Sequence, residues 1–238
     1  IGGSYTGVDY SVYSNTSNTV NIDGATLKST FYNSGNNNVS VTNSTINGDL
    51  QNNNSNITTS DSTISGSISN NGTFTSNKCN INGGISNSGT FTINENNILG
   101  GYGGIISNSS TMNINSSIFK TSSPEYYYYD EFYGVYNTGT MVLDNSSFYV
   151  DTENSYRNTI IGIKNYGNLK LNNKSNVYVG MYGKIVGTFT GIKTMSSGDT
   201  TITDSNIYVN GGATGYGIYT NDNNSKTTIV TGLIDVRG

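Results

Sequence analysis

The chain contains no histidine and no tryptophan, a single proline, a single cysteine and two arginines among 238 residues. Each scarcity removes a class of function. Without histidine there is no imidazole to serve as general base or metal ligand. One cysteine, Cys79, rules out an internal disulfide framework, although a secreted protein without disulfides remains open. Charge is also scarce: charged residues make up 11% of the chain and sum to -4, and the nine lysines with Arg157 and Arg237 are scattered. That leaves no basic footprint for nucleic acid. No run of 18 apolar residues is present, so no direct membrane insertion is expected. The chain starts at Ile1 without methionine or a signal-like segment, and it reads as a piece of a longer protein.

What fills the chain is Asn, Ser, Thr and Gly, with 33% hydrophobic and 11% aromatic residues. Low charge with this many aromatics argues against simple disorder, which pairs low hydrophobicity with high net charge. A repeat is the main signal. Ile68 to Ile81 reads ISNNGTFTSNKCNI, and Ile85 to Ile98 reads ISNSGTFTINENNI, 17 residues later. The same start recurs at Val12, Phe31, Leu50, Ile68, Ile85, Ile106, Val135, Ile163, Ile192 and Ile218. Later in most units, two further apolar sites stand five residues apart, as Ile22 with Leu27, Val41 with Ile46 and Ile93 with Ile98. Ile114 with Ile118 is one residue shorter and Leu171 with Val177 one longer.

Each unit thus holds three short runs of period two separated by Asn, Ser and Gly turns, and no helical periodicity competes. Strands this short cannot each bury a face alone, but stacking coil on coil gives parallel sheets around one narrow core. The expected fold is all-β, a single-stranded parallel β-helix (β-solenoid) of about ten three-strand coils, a rod of roughly 50 Å. Two residues after seven successive starts stand Asn33, Asn52, Asn70, Asn87, Asn108, Asn137 and Asn165, with Thr194 and Thr220 following. We read these as a structural Asn ladder, hydrogen-bonded along the rod and suited to the left-handed backbone of a tight turn. A second shelf precedes the third apolar site: Ser44, Ser62, Asn96, Ser116, Ser146, Ser175 and Ser205.

The chain reads as one solenoid domain over 1-238, with thin short-period coils over 12-105 and wider coils over 106-238. The added residues of the wide part are expected to lie in loops after the third strand.

The unit GVYNTGTMVLDNSSFYV, Gly134 to Val150, resembles the repeats of pectin-lyase-like parallel β-helix proteins. It is closest in kind to the GIYNxGxLxI repeats of bacterial and archaeal adhesin-like surface proteins. That resemblance covers the chain from Val12 onward and implies a right-handed helix; the Asn ladder matches the one those proteins carry between their second and third sheets. It carries over no catalytic group.

Enzymes on such folds need clustered carboxylates, with an Arg or Lys base in the lyases. Here Asp144 and Asp204 fall near equivalent places two coils apart, with a neutral coil between. Glu125 to Glu131 could offer loop oxygens to Ca2+, but solvated loop acids are the simpler reading, and no metal or other cofactor is expected. Cys79 reads as a small core filler. The aromatic residues point further. Phe119, Tyr149, Tyr178 and Tyr208 recur at spacings of 30, 29 and 30 and are expected to stack on one outer face; Tyr126, Tyr127, Tyr128, Tyr129 and Tyr133 crowd one inserted loop. Tyrosine offers a flat apolar body with a polar tip, suited to a sugar or a protein surface. The expected function is a non-catalytic extracellular stalk or adhesin segment on a microbial surface, binding a glycan or a surface protein. A polysaccharide-degrading lyase or glycosidase and a phage tail-fibre or spike segment are the alternatives.

Overall fold

A computed structural model describes residues 2–7, 9–102, 105–123, 131–152, 156–180 and 186–237. Among them the chain forms strands and turns with no helix. Each coil visits three sheets in a fixed order, and we number the sheets in that order. The first and second sheets hold ten strands each and the third holds eleven, and every neighbouring pair is parallel. This is a parallel β-helix. The ten starts stand in one register row of the first sheet, from Val12 paired with Phe31 to Ile192 paired with Ile218.

The period-two pattern explains the core. In the coil beginning at Ile85, the inward residues are Ile85, Phe91, Ile93 and Ile98, and all four are buried. Burying a side chain of this size contributes about 1.5–3 kcal/mol, and in-register stacking adds ring contacts such as Phe74 to Phe91 at 4.6 Å. Two coils break the pattern at the second apolar site, where Thr59 and Ser76 are buried instead. Their hydroxyls bond each other at 3.1 Å, and Cys79 Sγ lies 3.5 Å from Thr59 Oγ1. Cys79 is a free, buried filler.

The Asn ladder is continuous from Asn52 to Asn165. Each Nδ2 donates to the next coil's Oδ1 at 2.7–2.8 Å through Asn70, Asn87, Asn108 and Asn137. Asn33 is buried in the same row but donates to Asn37 and Ser55 instead. The ladder residues are not the left-handed ones. Positive φ recurs instead at the turn between the second and third sheets, at Asn43, Asp61, Lys78, Glu95, Ser116, Asn145 and Asp204, and it also occurs at Asn54 and Ser196, each two residues past a ladder position. One coil has two such residues, Asn173 and Lys174, which accounts for the longer spacing from Leu171 to Val177.

The shorter spacing disappears. Ile98 pairs with Phe119, so Phe119 is the third apolar site of its coil and Ile118 is 41% exposed. The shelf shifts with it, from Ser116 to Ser117. In this second buried ladder the backbone N–H of one coil donates to the side-chain oxygen of the next. Ser44 N to Ser62 Oγ, Asn96 N to Ser117 Oγ and Ser117 N to Ser146 Oγ measure 3.0–3.1 Å.

The wide part also departs from expectation. Its third-sheet strands lengthen, as in Ser147–Thr152 and Ser205–Asn210, but so do its first-sheet strands, to Glu131–Asn137, Tyr156–Asn165 and Val186–Thr194. Phe132, Ile160 and Phe189 stack in register on the added length and are buried, as are Val150, Val179 and Val209 of the third sheet. Glycine permits the two to approach. A Cβ on Gly134 would lie 2.4 Å from Val150 Cγ2, and one on Gly191 2.3 Å from Ile207 Cγ2. Part of what the sequence suggests is loop is therefore a second lobe of core.

Candidate functional site

The outer face of the third sheet carries the expected tyrosine row. Tyr149 pairs with Tyr178 and Tyr178 with Tyr208. Their rings are parallel, 4.5 and 4.8 Å apart and 5° and 6° from coplanar orientation, because strand spacing dictates ring spacing. Phe119 does not belong to this row. It is buried and packs on Phe148 at 5.1 Å, and the residue paired with Tyr149 is Lys120, whose Nζ stands 5.5 Å over the Tyr149 ring. The cause is the one-residue register difference described above, which turns Phe119 inward.

Stacking has a chemical consequence. Both faces of Tyr178 are covered by its neighbours, and the outer face of Tyr149 meets Lys120. The interior of the strip presents ring edges and hydroxyls rather than open faces. Burial, then the neighbouring Tyr149 and Tyr208, push the Tyr178 phenol above its ordinary range. Past Tyr208 the row continues with Asp235. There a cleft of about 390 Å³ is lined by Tyr178, Tyr208, Val209, Asn210, Asp235 and Arg237. The Arg237 guanidinium donates from Nη2 to Asp235 Oδ2 at 2.6 Å and from Nε to Oδ1 at 3.1 Å, a fork that fixes the carboxylate while leaving lone pairs free. The face of Tyr208 away from Tyr178 thus turns toward an oriented acid and an amide. Sequence reasoning found the tyrosines and missed Asp235, Arg237 and Asn210, which pair with the row only once register is known.

Tyr133 lies elsewhere, on the outer face of the first sheet. Its ring is 5.4 Å from Tyr136, which is 5.6 Å from Tyr166. Among these rings two lysines stack in register, Lys164 and Lys193, between Tyr136 and Tyr219. Like charges directly opposite on adjacent strands repel. Glu131 answers both: Lys164 Nζ donates to Oε2 at 2.6 Å and Lys193 Nζ donates to Oε1. Burial acts to raise the Glu131 carboxyl, but its bonds to Lys164 and Lys193 outweigh that and hold it below the ordinary range. Burial likewise acts to lower Lys164, and Glu131 outweighs it, so that ammonium is raised. The lysines that look scattered in sequence are here paired, and the Glu131 carboxylate is spent on them. Glu125 and the run Tyr126, Tyr127, Tyr128 and Tyr129 lie outside the described residues.

Asp144 and Asp204 do not share a row. Asp144 ends a second-sheet strand and accepts from Asn173 Nδ2 at 2.9 and 3.0 Å, whereas Asp204 is the left-handed turn residue of its coil. Among the described residues no group of three or more Asp, Glu, Cys or His could hold a metal ion. In comparison with known proteins, the chain matches no family model, no curated protein and no solved structure.

Proposed function

We propose that the chain is a segment of an extracellular microbial surface protein of adhesin type, built on a right-handed, pectin-lyase-like helix. Its coils act as a non-catalytic stalk, and the third sheet of the wide part presents the binding face to a glycan or to a protein on another surface. The observation that carries this reading is the tyrosine strip whose end at Tyr208 lines a cleft together with Asp235 and Asn210. An aromatic face beside an oriented acid and an amide suits a ring that offers both C–H and O–H groups.

The strip's own geometry makes the reading specific. Ring faces within the stack are unavailable, so Tyr208 should carry most of the binding and Tyr149 little. Screening the intact chain against immobilised glycans and surface proteins, with Tyr149→Ala, Tyr208→Ala and Asp235→Asn beside it, tests this. Loss of about tenfold or more in affinity for Tyr208→Ala and Asp235→Asn is expected. Binding indifferent to all three changes would remove this face from the function.

A further inference from the structure

The first sheet of the thin part carries a site of different construction. Its outward row runs Tyr13, Tyr32, Gln51, Ser69, Ser86, Ser107 and Tyr136 in unbroken register. Gln51 and three consecutive serines therefore lie between aromatic ends. The resulting trough, about 370 Å³ in volume, includes Gln51, Ser69, Ser86 and Ser107 in its lining. The row from Tyr32 to Tyr136 covers five strand steps, roughly 24 Å along the rod, and the trough occupies its middle.

At its head is an exposed aromatic cluster. Tyr13 stacks on Tyr32 at 5.3 Å and 11°, and Tyr10 stands 5.9 and 5.5 Å from the two. Tyr13 is 59% exposed, the most of any large aromatic with a stated exposure. Asn53 Nδ2 donates to the Tyr32 hydroxyl at 2.9 Å and fixes that ring. Aromatic surface left in water beside a hydrogen-bonding floor is costly unless something covers it.

The chemistry selects the occupant. Among the described residues the only ionisable group lining the trough is Asp49, and its Oδ1 accepts from Ser67 N at 2.8 Å. No cation among them lines it, so an acidic polymer would gain nothing and would meet a carboxylate. The strands that carry Gln51, Ser69, Ser86 and Ser107 are paired on both sides, so no open edge beneath the floor invites an added peptide strand. Short hydroxyls are also poor material for a protein interface core, where serine is depleted. We propose that this trough binds an uncharged linear polysaccharide lying along the rod axis, with its hydroxyls on the serine floor and one sugar ring on Tyr13. The site is independent of the third-sheet strip.

Calorimetric titration of the intact chain with neutral linear hexasaccharides (cello-, malto-, manno- and xylo-) and with acidic hexagalacturonate tests this. At least one neutral chain should bind and the acidic one should not. Tyr13→Ala, and Ser86→Trp, which fills the trough from an exposed position, should each weaken binding about tenfold or more. Tyr208→Ala should leave it unchanged. Absence of binding by every neutral hexasaccharide, equal binding of the acidic one, or full binding by Ser86→Trp with an unchanged circular dichroism spectrum would overturn the proposal.

Discussion

Replacing Asn87 by alanine should cost far more stability than an exposed asparagine substitution of the same chemistry. The side chain donates to Asn108 Oδ1, Gly89 O and Thr111 O at 2.8–2.9 Å, and its Oδ1 accepts from Asn70 Nδ2 at 2.8 Å and Gly89 N at 3.2 Å. Alanine removes all of these and leaves Asn108 Oδ1 buried with only a long contact from Ser110 N at 3.4 Å. At about 1 kcal/mol per net bond, with relaxation recovering some and one poorly satisfied buried acceptor adding about 1–3, the loss is about 3–4 kcal/mol. Asn97 is the control, since its exposed side chain makes one bond of 3.4 Å to Asn80 and its loss should stay within about 0.5 kcal/mol. Urea unfolding by circular dichroism gives the totals. Amide exchange over Ile68 to Asn115 locates the effect, because stacked repeats need not unfold in one step. Asn87→Asp refines the test. Its carboxylate would face the three acceptors that Asn87 now serves, so its folded pKa should rise above the unfolded value of about 3.9. The variant's deficit should therefore be least at low pH and grow as pH rises through that interval. A loss for Asn87→Ala within about 1 kcal/mol of Asn97→Ala would refute the claim that the ladder holds the register.

Two further substitutions test the register and the ion cluster. Phe119→Ala should destabilise by about 3–5 kcal/mol and Ile118→Ala by well under 1, the reverse of what an outward Phe119 implies, as thermal or urea melts will show. Glu131→Gln leaves Lys164 and Lys193 stacked without a counter-charge and should cost about 1 kcal/mol at neutral pH after solvent screening. Because the folded Glu131 pKa is lowered, its contribution is present above the unfolded carboxylate value of about 4.3. It disappears as pH falls through the lower folded value, so the difference between wild type and variant should close there. A difference constant from pH 3 to 7 would contradict this.

The repeat made the architecture legible because each apolar start carries its own period-two neighbours, so ten short patterns agree on one stacking. All ten starts stand in the predicted row. The error at Phe119 has a local cause. Ile118 and Phe119 are adjacent and both apolar, and only the pairing with Ile98 decides which points inward. Lys120 takes the outward position beside Tyr149 for the same reason. The cluster of Glu131, Lys164 and Lys193 was illegible for a different one. Its members are 33 and 62 residues apart along the chain, and an extension at the N-terminal end of a first-sheet strand brings the acid to the lysines. Composition counts charges but cannot say that two of them share a row.

The division of labour along each strand follows from the same geometry. Inward positions and buried turns carry the register: the Asn ladder, the serine shelf and the apolar stacks all tie one coil to the next. Outward positions are relieved of that duty, and each outward row becomes a column of side chains at strand spacing. What a column can bind then depends on whether its members fill that spacing. Tyrosines at 4.5 and 4.8 Å fill it with one another and leave faces only at the ends of the stack, where Lys120 stands over Tyr149 and Tyr208 turns toward Asp235. Serines cannot fill it, so Ser69, Ser86 and Ser107 leave a trough whose useful aromatic surface lies at the tyrosines beyond its ends. In both columns the proposed site falls where the residue type changes along the row. Shifting that point is the direct check: Asp235→Tyr would extend the strip by one ring and should abolish binding at the Tyr208 face while leaving the fold intact.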